Sequence, residues 1–288
     1  MRLGLVVHPS RDIEAPFGDL LSWADERGDE VVQIPIDGQD RRVADTGRPQ
    51  DCDLLVSIGG DGTMLAAIRA AVPAQRPVLG IACGSLGALT AVPPDGVTEA
   101  LERFGAGEWY RRSLPALSID RPGSEGLFAI NDVVVIRAGI GQVRTSIHVD
   151  GALYARVAGD GCIVSTQVGS SAYAIAAGGP LLAPGTDAFL LTPLPTHGGS
   201  CPPLVLGAQA ELGLKAEVGI GGGRLEIDGQ IAGAHDGALT VTLRPDVATL
   251  VAFEDQEAPL AGLRRRRVIV DSPRLVAEER RRHADGDR

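Results

Sequence analysis

The sequence predicts an α/β domain built on a parallel sheet, followed by a β-rich, sandwich-like domain. Three observations lead there. Apolar strand-like runs alternate with helix-forming stretches over residues 1–112, short alternating runs divided by turn dipeptides fill residues 113–258, and glycine-rich turns directly follow buried strands. A chain of 288 residues with 44% hydrophobic content has enough apolar side chain for two cores, and only 3% aromatics means Val, Leu, Ile and Ala must build them.

In the first domain, strand-like runs fall near residues 2–7, 30–34, 53–58 and 77–81, with helical character at 18–27 and 63–72. Parallel strands with helical crossovers bind ligands at their carboxyl ends. At such an end stands Ser57-Ile58-Gly59-Gly60-Asp61-Gly62-Thr63, ahead of the helix former Met64–Ala71. Gly59, Gly60 and Gly62 let the backbone turn tightly and approach a ligand closely. Thr63 is expected to cap the new helix, whose free N–H groups suit a phosphate. Asp61 is a carboxylate where a bound phosphate would repel it, so it is assigned a chemical role. A second glycine-rich turn, Gly80–Gly87, also follows a strand and faces the same crevice in this arrangement.

In the second domain, runs at Ala116–Asp120, Leu127–Ile130, Val133–Ile136, Ser146–Val149 and Leu153–Val157 are separated by Arg121-Pro122-Gly123 and the hairpin dipeptide Asp150-Gly151. Further strands are expected at 212–218, 224–228, 239–243 and 248–253, and Ser170–Ala177 alone looks helical. Residues 259–288 form a separate C-terminal segment that partly returns to the first domain. After residue 271 the chain becomes charged and ends as a frayed helix or disordered tail.

A formal net charge of -10 argues against a nucleic-acid partner, and Arg264–Arg267 is taken as a solvated run. The chain starts directly on the strand-like Leu3–Val7, without a leader pattern, and no apolar run reaches the length of a membrane span. Cys52, Cys83, Cys162 and Cys201 are dispersed and form no C-x-x-C pair, so free thiols in a reducing cytoplasm are expected. His8, His148, His197, His235 and His283 show no metal-ligand spacing, and no metal site is assigned. Cys83–Gly87 only approaches a hydrolase nucleophile elbow, which leaves hydrolysis through Ser85 poorly supported.

Three further segments carry polar groups. Gly159-Asp160-Gly161 precedes the apolar Cys162–Val164, then Ser165-Thr166-Gln167-Val168-Gly169-Ser170-Ser171-Ala172-Tyr173. Small hydroxyl residues and glycine there make either a close-approach surface for ribose hydroxyls or an amide edge, or an N-capped buried helix. Asn131-Asp132 sets an amide beside a carboxylate at a strand start, and Asp228-Gly229 resembles a hairpin corner.

Taken in order, these segments resemble the NAD kinase family. Gly59–Thr63 is the phosphate motif that family shares with diacylglycerol, sphingosine and phosphofructokinase-type kinases. The discriminating match is the stretch from Gly159-Asp160-Gly161 through Ser165-Thr166, Gly169-Ser170 and Ala172-Tyr173 to Ala177-Gly178-Gly179-Pro180, continued by Leu191-Thr192-Pro193, Pro203-Leu204-Val205 and Asp228-Gly229-Gln230. The resemblance implies phosphoryl transfer from ATP or polyphosphate, with Mg²⁺, to the adenosine ribose 2′-hydroxyl of NAD. It implies that Asp61 acts on the acceptor hydroxyl and that the Gly59–Thr63 backbone cradles the donor. Asn131, Asp132, Asp160, Ser171, Ala172, Tyr173 and Asp228 fall where the family holds its dinucleotide. It also implies a homodimer or homotetramer built through the β-rich domain.

The chain departs from the family pattern at several positions. Ala82 stands for Asn, Ala88 for Phe, Asp132 for Glu, Gln167-Val168 for Pro-Thr, Ser171 for Thr and Pro202 for Arg. These changes are expected to gather around the acceptor pocket. They leave two other readings open: a kinase of this fold acting on another nucleoside, sugar or polyol, or a non-catalytic nucleotide-binding regulator. Retention of Asp61 with its glycines counts against the regulator.

Overall fold

The computed structural model describes residues 1–84 and 86–286. The N-terminal alternation is present as β1 (Arg2–Val7), α1 (Glu14–Arg27), β2 (Glu30–Gln33), β3 (Leu54–Gly59), α2 (Asp61–Ala74), β4 (Val78–Ala82) and α3 (Val97–Ala106). β1 pairs in parallel with β2 and with β3, and β3 pairs in parallel with β4. Side chains alternate across a strand, so the sheet divides two apolar layers. Leu3, Leu5, Val56 and Ile58 pack with Leu20 and Trp23 of α1 and Leu101 of α3. Val6 and Leu55 pack on the other face with Met64 and Ile68 of α2. The sequence reading did not include α3, although Val97, Ala100 and Leu101 show its buried i, i+3, i+4 face and Gly107 ends it with φ 75.

The rest of the chain is mainly strand: β5 (Tyr110–Arg121), β6 (Ser124–Ala129), β7 (Asp132–Arg137), β8 (Val143–Val149), β9 (Ala152–Gly159), β10 (Gly161–Thr166), β11 (Ala188–Pro193), β12 (Leu204–Gly207), β13 (Glu211–Val218), β14 (Gly223–Ile227), β15 (Gln230–Ala234) and β16 (Gly237–Ala252). A six-stranded sheet runs β12-β11-β10-β7-β14-β15. It faces a ten-stranded sheet that runs β2-β1-β3-β4-β16-β13-β8-β9, with β5 on β16 and β6 on β5. Val133, Val135, Val164, Phe189 and Leu191 of the first sheet meet Leu117, Ile147, Leu214 and Val241 of the second in one core. The predicted Asp150-Gly151 corner joins β8 to β9, with both residues left-handed at φ 49 and φ 78.

Three expectations are corrected here. The two domains share a sheet: β16 pairs with β13 through its first half and reaches β4 in parallel at Leu250↔Val78 through its second. The chain therefore returns to the first domain before residue 258, and β5 already spans residue 112. The runs at 239–243 and 248–253 are one strand, irregular between Arg244 and Ala248 where it crosses β5. The segment read as the helix Ser170–Ala177 is a tight 3₁₀ turn at Gly169–Ser171 followed by the four-residue α4 (Tyr173–Ala176). Beyond β16 lie α5 (Pro259–Arg265), which contains the first arginines of the basic run, and α6 (Pro273–Gly286) in the charged tail.

β10 starts so close to β7 that Gly161, at φ 141, has no room for a side chain: a Cβ would stand 1.9 Å from the Val135 carbonyl oxygen. Gly161→Ala is expected to destabilise the protein by about 3 kcal/mol. Urea denaturation followed by circular dichroism measures it; an unchanged midpoint would refute the close packing of β10 on β7.

Candidate active site

The phosphate motif forms where β3 passes into α2. Gly60 is the N-cap, with no side chain capping the helix, which leaves the first amide groups of α2 directed outward. Thr63 does not cap. It is the third helical residue, only 5% exposed, and its hydroxyl turns back on Gly59, where a Cβ would lie 2.3 Å from Oγ1. Gly62 faces open space. Asp61 lies half-buried, its Oδ2 accepting from the Ala88 N–H at 2.9 Å and its Oδ1 from the Leu89 N–H at 3.0 Å. Gly87 makes this approach possible, since a Cβ there would come within 2.1 Å of Oδ1. The two glycine-rich turns are thus joined through one carboxylate.

Two arginines that the sequence reading did not single out bear on this region. Arg11 follows β1, at the carboxyl edge of the parallel sheet, and its guanidinium lies 3.5 Å from where a Gly60 Cβ would stand. Its loop is held by Arg41, which donates to the Arg11 carbonyl at 2.6 Å, and by His8 Nδ1, which accepts from the Arg11 N–H at 3.0 Å. Burial, then Arg11 and Arg41, hold the His8 imidazole below its ordinary pKa, which keeps Nδ1 an acceptor. Arg69 is the lone charge along the otherwise apolar Gly62–Ala74 stretch of α2, a pattern that signals a specific partner. That partner is Asp228, whose Oδ2 lies 3.4 Å from Arg69 Nε, while Arg69 Nη1 donates to Gln230 Oε1 at 2.7 Å.

Asp228 occupies the β14–β15 corner in a left-handed conformation, φ 49, as the hairpin reading required. Its side chain is 0% exposed. It accepts from the N–H groups of Asn131 at 2.6 Å, Ile130 at 3.2 Å and Asp132 at 3.2 Å. Asp228 therefore holds the start of β7. Asn131 is closed in from the other side by Gly169, where a Cβ would lie 1.9 Å from the Asn131 carbonyl oxygen, and its own Oδ1 is buried with no hydrogen-bond partner. Asp132 is 5% exposed. Burial first, then the charges of Asp228 and Glu226, push its carboxyl up to about 7.

The turn after β10 supplies the next wall. Thr166 Oγ1 donates to the Ile130 carbonyl at 2.6 Å, tying this turn to β7. Ser171 Oγ donates to the Val168 carbonyl at 3.0 Å, and Ala172 and Tyr173 follow on the surface, Tyr173 at 40% exposure. Gln167, Val168 and Ser171 line a cavity of about 110 Å³ with Gly87 and Ala88, so the turn after β4 and the turn after β10 face one space.

The structure does not bring every expected residue there. Asp160 is at the other end of β10 from Thr166 and pairs with Arg137 Nε at 2.6 Å; β10 runs antiparallel to β7, so Asp160 and Asp132 are a strand length apart. The departures from the family pattern do not all surround one pocket either. Ala82 is buried at the end of β4 opposite Gly59, and Pro202 precedes β12, its carbonyl accepting from the Tyr154 hydroxyl at 2.8 Å. Ala88, Gln167, Val168 and Ser171 do line the cavity. Among the described residues no cluster of three His, Cys, Asp or Glu side chains could hold a metal ion. Ser85, and the side chain of His283, lie outside the described residues.

A half-buried acid fixed at a phosphate-type helix N-terminus, held by a turn that shares a cavity with the turn after β10, is an arrangement suited to a phosphotransferase of the two-domain nucleotide-kinase kind. The comparisons agree. The family model for the ATP-NAD kinase N-terminal domain matches residues 16–109, and that for the ATP-NAD kinase C-terminal domain matches residues 130–241. NAD kinase from Chlorobium phaeobacteroides is 31% identical over 89% of this chain and 93% of that protein. NAD kinase from Halobacterium salinarum is 35% identical over 76% of this chain and 78% of its own. The crystal structure of an NAD kinase from Archaeoglobus fulgidus in complex with ATP superposes with a TM-score of 0.74 at 25% identity, covering 94% of this chain and all of that one. This chain belongs to the NAD kinase family.

The raised Asp132 carboxyl makes stability depend on pH. Folded, the group holds its proton to about pH 7; unfolded, it loses it near its model value of 3.8. Stability is thus fullest below the unfolded value and falls as pH rises through the folded one. Asp132→Asn is expected to remove that fall, with a gain over wild type that grows from acid to alkaline pH to on the order of 2–4 kcal/mol. Urea titrations across this range test it; a pH-independent difference would refute the burial of a proton at Asp132.

Proposed function

We propose that this enzyme moves the terminal phosphoryl group of ATP to the 2′-hydroxyl of the adenosine ribose of NAD, giving NADP and ADP. The observation that carries the reading is the Asp61 carboxylate, pinned between two glycine-rich turns at the N-terminus of α2. The donor phosphates rest on the outward amides of Asp61, Gly62 and Thr63, with the Arg11 guanidinium neutralising charge beside Gly60. The acceptor dinucleotide lies along Asn131, Asp132 and the Ser171–Tyr173 surface, where the unpartnered Asn131 Oδ1 takes a donor from it. As the acceptor oxygen bonds to phosphorus and the bond to the ADP oxygen breaks, the hydroxyl proton passes to Asp61 and then to water.

Phosphoryl transfer asks for positioning and charge neutralisation more than covalent chemistry, which suits a site with one acid and many amides. Mg²⁺ would enter with the donor phosphates, with Asp61 as the carboxylate of this chain beside it, and would supply further neutralisation of the donor. Asp228 acts by holding Ile130–Asp132 in place, without reaching the substrate. Of the pocket departures, Ala82 and Pro202 do not line the cavity, and the remaining substitutions are accommodated without changing the acceptor. The same reading includes assembly into a homodimer or homotetramer through the β-rich domain, supported by exposed Val205 and Ile231 on the edge strands β12 and β15. It places the enzyme in the cytoplasm, in keeping with free Cys52, Cys83, Cys162 and Cys201.

Incubation with ATP, Mg²⁺ and NAD is expected to yield NADP, read by an NADP-specific dehydrogenase; phosphorylation of other alcohols without NADP would overturn the acceptor. Asp61→Asn is expected to lower turnover by about three orders of magnitude or more while losing about 1–3 kcal/mol of stability, because an amide meets two N–H donors. Turnover near wild type in that variant would remove Asp61 from the mechanism. Arg11→Ala is expected to raise KM for ATP about tenfold with KM for NAD unchanged. Equal effects on both substrates would place Arg11 elsewhere.

A further inference from the structure

The cavity of about 110 Å³ that borders Gly87 and Ala88 extends away from Asp61 towards α5, and its far wall is cationic. Arg112, Arg265 and Arg266 line it against a single acid, Glu257, whose Oε2 is already taken by Arg265 Nε at 2.9 Å. Arg265 spends a second donor on the Leu86 carbonyl, and Arg266 Nε reaches the Gly262 carbonyl at 3.3 Å. Arg112 makes no hydrogen bond or ion pair to any described side chain or carbonyl, although burial holds its guanidinium below its ordinary pKa. Gln256, also on the wall, has a buried Nε2 with no partner. Gln167 Oε1, on the side chain of another lining residue, is occupied by the Thr186 N–H at 3.0 Å.

Cationic side chains therefore outnumber acids on this wall, and Arg112, half-buried and without a described counter-charge, is its uncompensated member. What would satisfy Arg112 and Gln256 together is a compact anion with several oxygen acceptors. We propose that this cavity is a binding site for a small oxyanion, a phosphate or carboxylate group, held by Arg112 and the Gln256 amide behind the Gly87–Leu89 turn. Within that turn the Ala88 and Leu89 N–H groups hold Asp61, and Gly87 and Ala88 line the cavity. An occupant consequently stiffens the turn on which the acid is mounted. Any effect on turnover rests on the role proposed for Asp61, whereas binding itself does not.

The test is thermal unfolding and titration calorimetry of the whole protein with inorganic phosphate and, separately, succinate, without ATP or NAD. At least one anion is expected to raise the wild-type unfolding midpoint in a saturable way. Binding should be roughly tenfold weaker in Arg112→Gln. It should also be lost in Ala88→Phe, which fills the cavity with a ring and leaves the arginine in place. The succinate and phosphate arms tell a carboxylated from a phosphorylated ligand. No stabilisation by either anion overturns the proposal. So does equal stabilisation of wild type and of whichever variants fold, because the anion then sits on the Gly59–Thr63 loop. Since no turnover is measured, absence of NADP formation would leave this result unaffected.

Discussion

The carboxylate of Asp228 is the constraint on which the site depends. It sits at a hairpin corner of the six-stranded sheet, fully buried, and accepts three backbone N–H groups from the segment that opens β7. Its counter-charge, Arg69, comes from α2 in the other half of the molecule. Removing either partner would leave a buried charge or a row of unpaired amides, at a cost of about 3–5 kcal/mol. One acid therefore couples the helix that carries the phosphate motif to the strand that presents Asn131 and Asp132. The left-handed corner at Asp228 is what aims its side chain inward, and the following Gly229, at φ 76, completes that turn.

Asp132 shows the electrostatic consequence. A carboxyl this deeply buried, with Asp228 and Glu226 nearby, retains its proton into the neutral range, so the site presents a hydrogen-bond donor where a formal reading shows an anion. Asp61 is held differently. The Ala88 and Leu89 N–H groups fix the orientation of its carboxylate, as a group that is to meet an acceptor hydroxyl requires. The difference between the two acids comes from surroundings, since their side chains are identical. A site for two polyanionic substrates benefits from having one of its acids neutral.

Much of the fold was legible because periodicity is a local property. The parallel strands, α2, the Asp150-Gly151 corner and the strand after Gly161 follow from alternation and turn chemistry. What escaped depends on long-range pairing. Nothing within Gly237–Ala252 announces that one strand serves both halves of the molecule, since its two ends find different partners far apart in sequence. The helix seen in Ser170–Ala177 dissolved into a 3₁₀ turn and α4, because Gly169 must sit against the Asn131 carbonyl. At the site, Gly59–Thr63 and Asn131-Asp132 could be picked out as motifs. Arg69 carried a signal as the lone charge on an apolar stretch, whereas Arg11 and Arg112 could not be picked out, because an isolated arginine acquires meaning only from what the fold sets beside it. Asp160 illustrates the reverse: its motif neighbours lie in the site, yet the direction of β10 carries it to the other end of the strand.

The turn Leu86–Leu89 links Asp61, the cavity and α5. In the family pattern residue 88 is an aromatic side chain that could steady the turn by packing; here it is Ala88, and the space beside it stays open. Rigidity has to come from polar contacts instead. Asp61 takes two of the turn's amides, Thr90 Oγ1 accepts from the Gly87 N–H at 2.7 Å, and Arg265 of α5 holds the Leu86 carbonyl. The Asp61 carboxylate, proposed to act on the acceptor, and α5 therefore hold the same few residues. α5 is thus linked to Asp61 through the Arg265 guanidinium, the Leu86–Leu89 backbone and the Ala88 and Leu89 N–H groups, a connection that the position of Arg265 in the sequence does not suggest.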